Sequence, residues 1–190
     1  METPHIKSVE ITSTAMKKRI KKRKLQFKPG PNVIIGPNGS GKSSLLEVIM
    51  DFEKKRTSDC IITFIPGTYY AFDFEKQNPR KSQHFTTGLD IYSRFLSHGE
   101  SNKAIIGMLK GGEAKDAMFF LDEPEQALDI DGIEQLLSIV ETSESSQILI
   151  VTHHPHIITH PMFNVVELEK GYYQKVINSV IDLCSRIEEM

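Results

Sequence analysis

The segment GPNGSGKS, residues 36–43, has the residue types and spacing of a phosphate cradle. Gly36, Gly39 and Gly41 let the backbone approach an anion closely, because a Cβ there would stand in the way. Lys42 is spaced to reach the β- and γ-phosphates of a nucleotide, and the Ser43 hydroxyl to ligate Mg²⁺. Pro37, Asn38, Ser40 and Ser44 complete the candidate nucleotide-contacting set. The structural alternative is a glycine-rich turn. A second constellation lies in MFFLDEPEQALD. Four apolar residues end in Asp122, a carboxylate at the carboxyl end of a buried strand, where it is suited to hold Mg²⁺ through water. Glu123 follows at once, and a second carboxylate beside a metal-binding one can accept a proton from an attacking water. That pairing predicts hydrolysis; the alternative is a charged strand end entering solvent.

The elements that must position these groups follow from hydrophobic periodicity. IKSVEI alternates like a half-buried strand, KLQF is its expected partner ahead of the KPGPN turn, and NVIIG is a continuous apolar run typical of a buried central strand. Leu45, Leu46, Val48 and Ile49 predict a short helix over 43–51, so the glycine-rich loop sits between strand and helix. That is the setting that points backbone N–H groups and a helix N-terminus at phosphate oxygens. CIITFI and TYYAFDF are two further strands separated by Pro66 and Gly67, and apolar spacing favours helices over 88–96 and 101–110. MFFLD and QILIVT flank an amphipathic segment, 132–141, in a βαβ pattern. NVVEL predicts an edge strand and 172–187 a closing helix.

Composition limits the function classes. At 190 residues, 39% hydrophobic and 25% charged, the chain reads as one globular α/β domain over 1–190. No apolar run approaches the roughly 18 residues a membrane helix needs, and no signal-peptide pattern is present, so no membrane insertion is expected. Cys60 and Cys184 have no metal-type spacing and suit a reducing cytoplasm. The net charge of −2 hides an asymmetry: residues 1–30 hold nine Lys and Arg against two Glu, and seven of those bases lie in KKRIKKRK, from Lys17 to Lys24. This basic N-terminal β-hairpin is either a DNA-binding or other anionic-partner surface or a solvated connection between strands.

Taken together, residues 36–43, LDEPEQALD with Glu123 and Asp129, VTHH with His153 after an apolar strand, and LSHGE ahead of the acidic strand resemble the ABC-type ATPases. The wording GPNGSGKSSLLEVI, behind a short basic hairpin, is more similar to the SMC, RecF and SbcC branch and its small AAA-type relatives than to transporter subunits. The resemblance implies a P-loop NTPase fold with a mixed central sheet flanked by helices, a small helical signature region at about 80–112, ATP and Mg²⁺ as ligands, and ATP hydrolysis. It also implies a dimer that sandwiches ATP. In such a dimer Ser97, Gly99 and Glu100 of the signature face the γ-phosphate held by the other copy and Asp129 reaches across the interface, while His153 is a switch histidine that contacts the γ-phosphate and helps place the water. Physically, Ser97 offers a hydroxyl, Gly99 permits close approach, and a helix beginning near Ser101 presents its positive end. The alternatives are a capping turn at Ser97 and a helix cap at Asp129. Gln77, in FDFEKQNPR, is the expected Q-loop ligand to Mg²⁺, with Glu75 and Asp73 as substitutes and a plain strand end as the competing reading. His154, His156 and His160 beside His153 raise a metal site as an alternative to solvated loop histidines. Only 51 residues separate Ser43 from Phe95, which leaves no room for long coiled-coil arms.

Overall fold

The computed structural model describes residues 3–50, 59–73, 109 and 115–189. Two sheets carry the fold. β1 (His5–Ile11) pairs antiparallel with β2 (Lys24–Gln26) on one side and β4 (Cys60–Ile65) on the other. A five-stranded sheet, entirely parallel, runs in the order β5-β6-β7-β3-β8. Its strands are β3 (Gly30–Ile35), β5 (Tyr69–Asp73), β6 (Met118–Asp122), β7 (Gln147–Val151) and β8 (Asn164–Glu167). Parallel and antiparallel pairing are thus both present but segregated. β8 is the edge strand that NVVEL predicts, paired with β3 alone among the described residues.

Alternation along the parallel strands builds two cores. Val33, Ile35, Phe119, Leu121, Ile148 and Ile150 face one side, against α3 (Ile130–Thr142) and the start of α4 (Tyr172–Glu188). Ile34, Met118, Phe120, Leu149 and Val151 face the other, against α2 (Lys42–Met50) and the antiparallel sheet. All five residues of β6 and of β7 are buried. With each buried aliphatic or aromatic side chain contributing about 1.5–3 kcal/mol, the strands that carry the site are among the most firmly held. A buried Gln147 ties the sheets together: its amide accepts from Ile6 N at 2.8 Å and donates to Ile6 O at 3.0 Å and Lys28 O at 2.8 Å.

The N-terminal region follows the expected antiparallel pairing but corrects the connection. Thr14–Arg19 is a helix, α1, rather than an open turn, because Ser13 accepts from Met16 N at 3.2 Å as its cap and Met16 and Ile20 are buried. The basic run is therefore divided, with Lys17, Lys18 and Arg19 on α1, Lys22 on the approach to β2 and Lys24 at its start. The helices expected over 88–96 and most of 101–110 lie outside the described residues, as do Gln77, Glu75 and the signature residues Ser97, Gly99 and Glu100. Leu109 is helical, buried and part of the first core. No helix among the described residues is long and apolar enough to cross a membrane.

Candidate nucleotide-binding site

Three parallel neighbours, β6, β7 and β3, end on the same side of the sheet, and each delivers one part of the site from its carboxyl end. β3 runs into the glycine-rich loop, β7 into Thr152 and His153, and β6 into Asp122 and Glu123. The loop wraps in the conformation its glycines allow: Gly39 has φ +75° and Gly41 φ +87°. Gly41 also needs the missing Cβ for space, since one there would lie 3.2 Å from Ile20 Cγ1 and 3.4 Å from Arg19 Cβ. The α1 turn is packed onto the loop by this contact.

The side chains converge on an open cleft of about 790 Å³ lined by Asn38, Lys42, Ser43, Glu123, His153 and Arg19, among others. Lys42 is 5% exposed, and its ammonium donates to Gly36 O at 2.9 Å and Pro37 O at 3.1 Å. Burial lowers its pKa, opposed by the nearby Glu123 and Asp122 carboxylates. Ser43 Oγ donates to Asp122 Oδ1 at 3.2 Å, so the hydroxyl and the carboxylate expected to share a cation are adjacent although 79 residues apart. Ser40 Oγ is buried without a hydrogen-bond partner among the described residues.

Glu123 stands in the left-handed region at φ 51°, ψ 54°, with its N–H bonded to Val151 O at 2.8 Å. A non-glycine residue there costs on the order of 1–3 kcal/mol and persists when surrounding structure enforces it, a pattern concentrated at functional sites. The twist aims the carboxylate at His153, whose Nε2 is 3.6 Å from Glu123 Oε1, while Gln126 Nε2 donates to Glu123 Oε2. His153 has its pKa lowered by burial first and by Lys42 second, against the pull of Glu123 and Glu125. The imidazole is accordingly neutral at pH 7, able to donate from one ring nitrogen and accept at the other.

Two contributors were not singled out by sequence reasoning. Glu125 accepts from Thr152 Oγ1 at 2.5 Å and from His153 N at 3.0 Å, fixing the turn that presents the histidine. The signal was a carboxylate three residues past a strand end and directly after Pro124. Arg19 lines the cleft and donates to Ser44 Oγ at 3.4 Å; it was hidden within a basic run until the α1 cap placed it.

Asp129 caps α3, accepting from Gly132 N at 2.9 Å. Replacing it with alanine should cost about 1 kcal/mol, lowering Tm by about 2–4 °C; an unchanged melting curve would remove that capping role. Among the described residues no group of three or more His, Cys, Asp or Glu is arranged to hold a metal ion. His156 instead pairs with Glu134 at 2.8 Å.

Residues 17–52, which span the α1 turn, the loop and α2, match the AAA domain family. The fold is that of a P-loop NTPase. The chain is similar to zinc import ATP-binding protein ZnuC of Histophilus somni, 27% identical over 66% of this chain and 57% of the relative. The Haemophilus influenzae ZnuC is also 27% identical, over 66% of this chain and 56% of that protein. ABC transporter F family member 2 of Arabidopsis thaliana is 28% identical, over 79% of this chain and 26% of the relative. A solved structure, described as a candidate cobalt transport ATP-binding protein, is 17% identical with a TM-score of 0.47, covering 87% of this chain and 76% of that one. The chain thus spans under two thirds of the zinc import proteins and about a quarter of the F family protein. The AAA domain match and the sequence relatives support an ABC-type ATPase.

Proposed function

We propose that the chain binds and hydrolyses ATP as an ABC-type ATPase, works as an ATP-sandwich dimer, and couples nucleotide state to engagement of DNA or a partner protein. One observation carries the reading: Ser43 beside Asp122 and His153 beside Glu123 meet Lys42 at one cleft, although three separate segments supply them. The loop amides and Lys42 bind the phosphates, and Lys42 exchanges loop carbonyls for phosphate oxygens when they arrive. Ser43 and Asp122 fit Mg²⁺, being a hydroxyl and a buried carboxylate already adjacent. Mg²⁺ held by these two residues would offset the charge of the phosphates. Glu123 accepts the proton of the attacking water, and neutral His153, held by the Glu125 turn, orients that water and the terminal phosphate.

The dimer draws on the resemblance of Ser97, Gly99 and Glu100 to a signature that completes the opposite site, and on Asp129 as its cross-interface partner. The closeness to arm-less SMC, RecF and SbcC relatives is supported by the short interval between Ser43 and Phe95 and by the AAA domain match. Phosphate release from ATP with Mg²⁺, together with nucleotide-dependent sizing, tests the whole. Release no faster than in buffer would overturn it.

The likeness to the zinc import ATP-binding proteins favours a second reading, the ATP-binding subunit of a transporter. Co-purification with a membrane protein is its discriminating result.

A further inference from the structure

Away from the nucleotide cleft, a groove of about 660 Å³ opens between the antiparallel sheet and the edge of the parallel one. Lys22, Lys24, Gln26 and Lys28 line it at a spacing of two residues, so along the extended chain they share one face. Leu25 and Phe27 between them are buried. A fourth lysine, Lys7, joins from β1 at the point where the β1–β4 register shifts between Ile6 and Ser8. Such a bulge re-aims a side chain. Among the described residues no carboxylate lines the groove. Its floor is fixed: Lys28 N donates to Asn32 Oδ1 at 3.0 Å, while Lys28 O accepts from Asn32 Nδ2 at 2.7 Å and from Gln147 Nε2 at 2.8 Å. The opposite wall is β8, where Asn164 is tied to Asn32 at 2.9 Å.

We propose that this groove is a docking surface for the phosphodiester backbone of a DNA duplex, with Lys7, Lys22, Lys24 and Lys28 as its phosphate contacts. The inference deepens, and rests on, the proposed coupling to DNA, and it moves the contact from the basic run as a whole to one part of it plus two lysines outside it. Lysines on an edge strand can serve simply to prevent edge-to-edge pairing. That role accounts for Lys24 on β2, not for a bulged Lys7 brought to the same groove. An acidic peptide fits less well. The flanking edge strands are three and four residues long, giving little ladder to extend, and the groove's aromatic and one of its two valines are buried rather than forming anchor pockets. Single strands bind by stacking bases on aromatic rings, and Phe27, the one aromatic that lines the groove among the described residues, is 6% exposed. Backbone contacts of this kind are independent of sequence.

The test measures binding of a mixed-sequence DNA duplex to the full chain without nucleotide, across 50–200 mM salt. Four phosphate contacts predict a slope of about −3.6, a loss of about a hundredfold over that range. Lys22→Ala with Lys24→Ala should reduce the slope to about −1.8, a loss of about tenfold, and leave basal ATP hydrolysis unchanged. Lys17→Ala with Lys18→Ala, on α1 outside the groove, should alter the slope little. If the α1 pair weakens binding as much as the groove pair, the groove assignment is overturned while coupling to DNA stands. No duplex binding by the wild type overturns both. Tighter binding to single strands or to poly-glutamate than to the duplex overturns the choice of occupant.

Discussion

Glu123→Gln should lower ATP turnover by about a hundred- to ten-thousandfold, the range typical of removing a general base, while leaving ATP bound. The substitution preserves shape and the left-handed backbone, which is held by the Glu123 N–H to Val151 O bond. It removes only the capacity to take a proton. The glutamine side chain still presents an oxygen to Gln126 and a polar group to His153, whose lowered pKa keeps it neutral at pH 7 and independent of a carboxylate charge. Lys42, Ser43 and Asp122 are untouched, so affinity for ATP with Mg²⁺ should hold or rise. With hydrolysis blocked, the ATP-bound state accumulates, and light scattering should show a dimer at saturating ATP and a monomer without it. Undiminished phosphate release would remove Glu123 from the chemistry. A monomer at saturating ATP would instead remove the sandwich dimer, leaving the cleft complete within one chain.

The parts of this site that rest on local sequence were legible, and those that rest on long-range packing were less so. GPNGSGKS fixes its own geometry: strand, glycines at positive φ and helix are consecutive, so no distant contact is needed to place Lys42 and Ser43. Asp122 could be placed at a strand end from MFFLD, because a fully buried parallel strand is a continuous apolar run. That β7 lies between β3 and β6, and so brings His153 between loop and carboxylates, required the strand order, which no local pattern contains. Asp129 shows how two readings can share a residue: the helix cap is what the chain itself forms, and a cross-interface contact needs a second copy. The basic run was the least legible stretch. Charge made it conspicuous, but only the Ser13 cap and the burial of Met16 and Ile20 divide it between the cleft, through Arg19, and the groove, through Lys22 and Lys24.

Lys42→Met should separate binding from stability. The Lys42 ammonium is almost fully buried, and its lowered pKa means that the unfolded chain holds that proton more readily than the folded one. The fold therefore carries the full cost of this charge at every pH below the lowered value, and the cost fades as pH rises from there and is gone above the ordinary lysine value. Methionine has a similar length and no charge, so it removes the cost and needs no partner, leaving Gly36 O and Pro37 O to the loop and solvent. The nucleotide-free Tm should be equal to or above that of the wild type. ATP at a hundred times its Kd stabilises a native state by about 2.7 kcal/mol, a rise in Tm of about 5–10 °C for a chain of this size. Loss of a charged hydrogen bond to phosphate, about 1.5–3 kcal/mol, should cut that rise to at most about half at the same ATP concentration. An equal ATP-induced rise in the two proteins would show that Lys42 does not meet the phosphates. A large fall in the nucleotide-free Tm would show that its two carbonyl contacts outweigh the desolvation of its charge. The expected pattern, a gain or no change without ATP and a loss with it, is the signature of a charge kept in the loop for its ligand and at the expense of the fold.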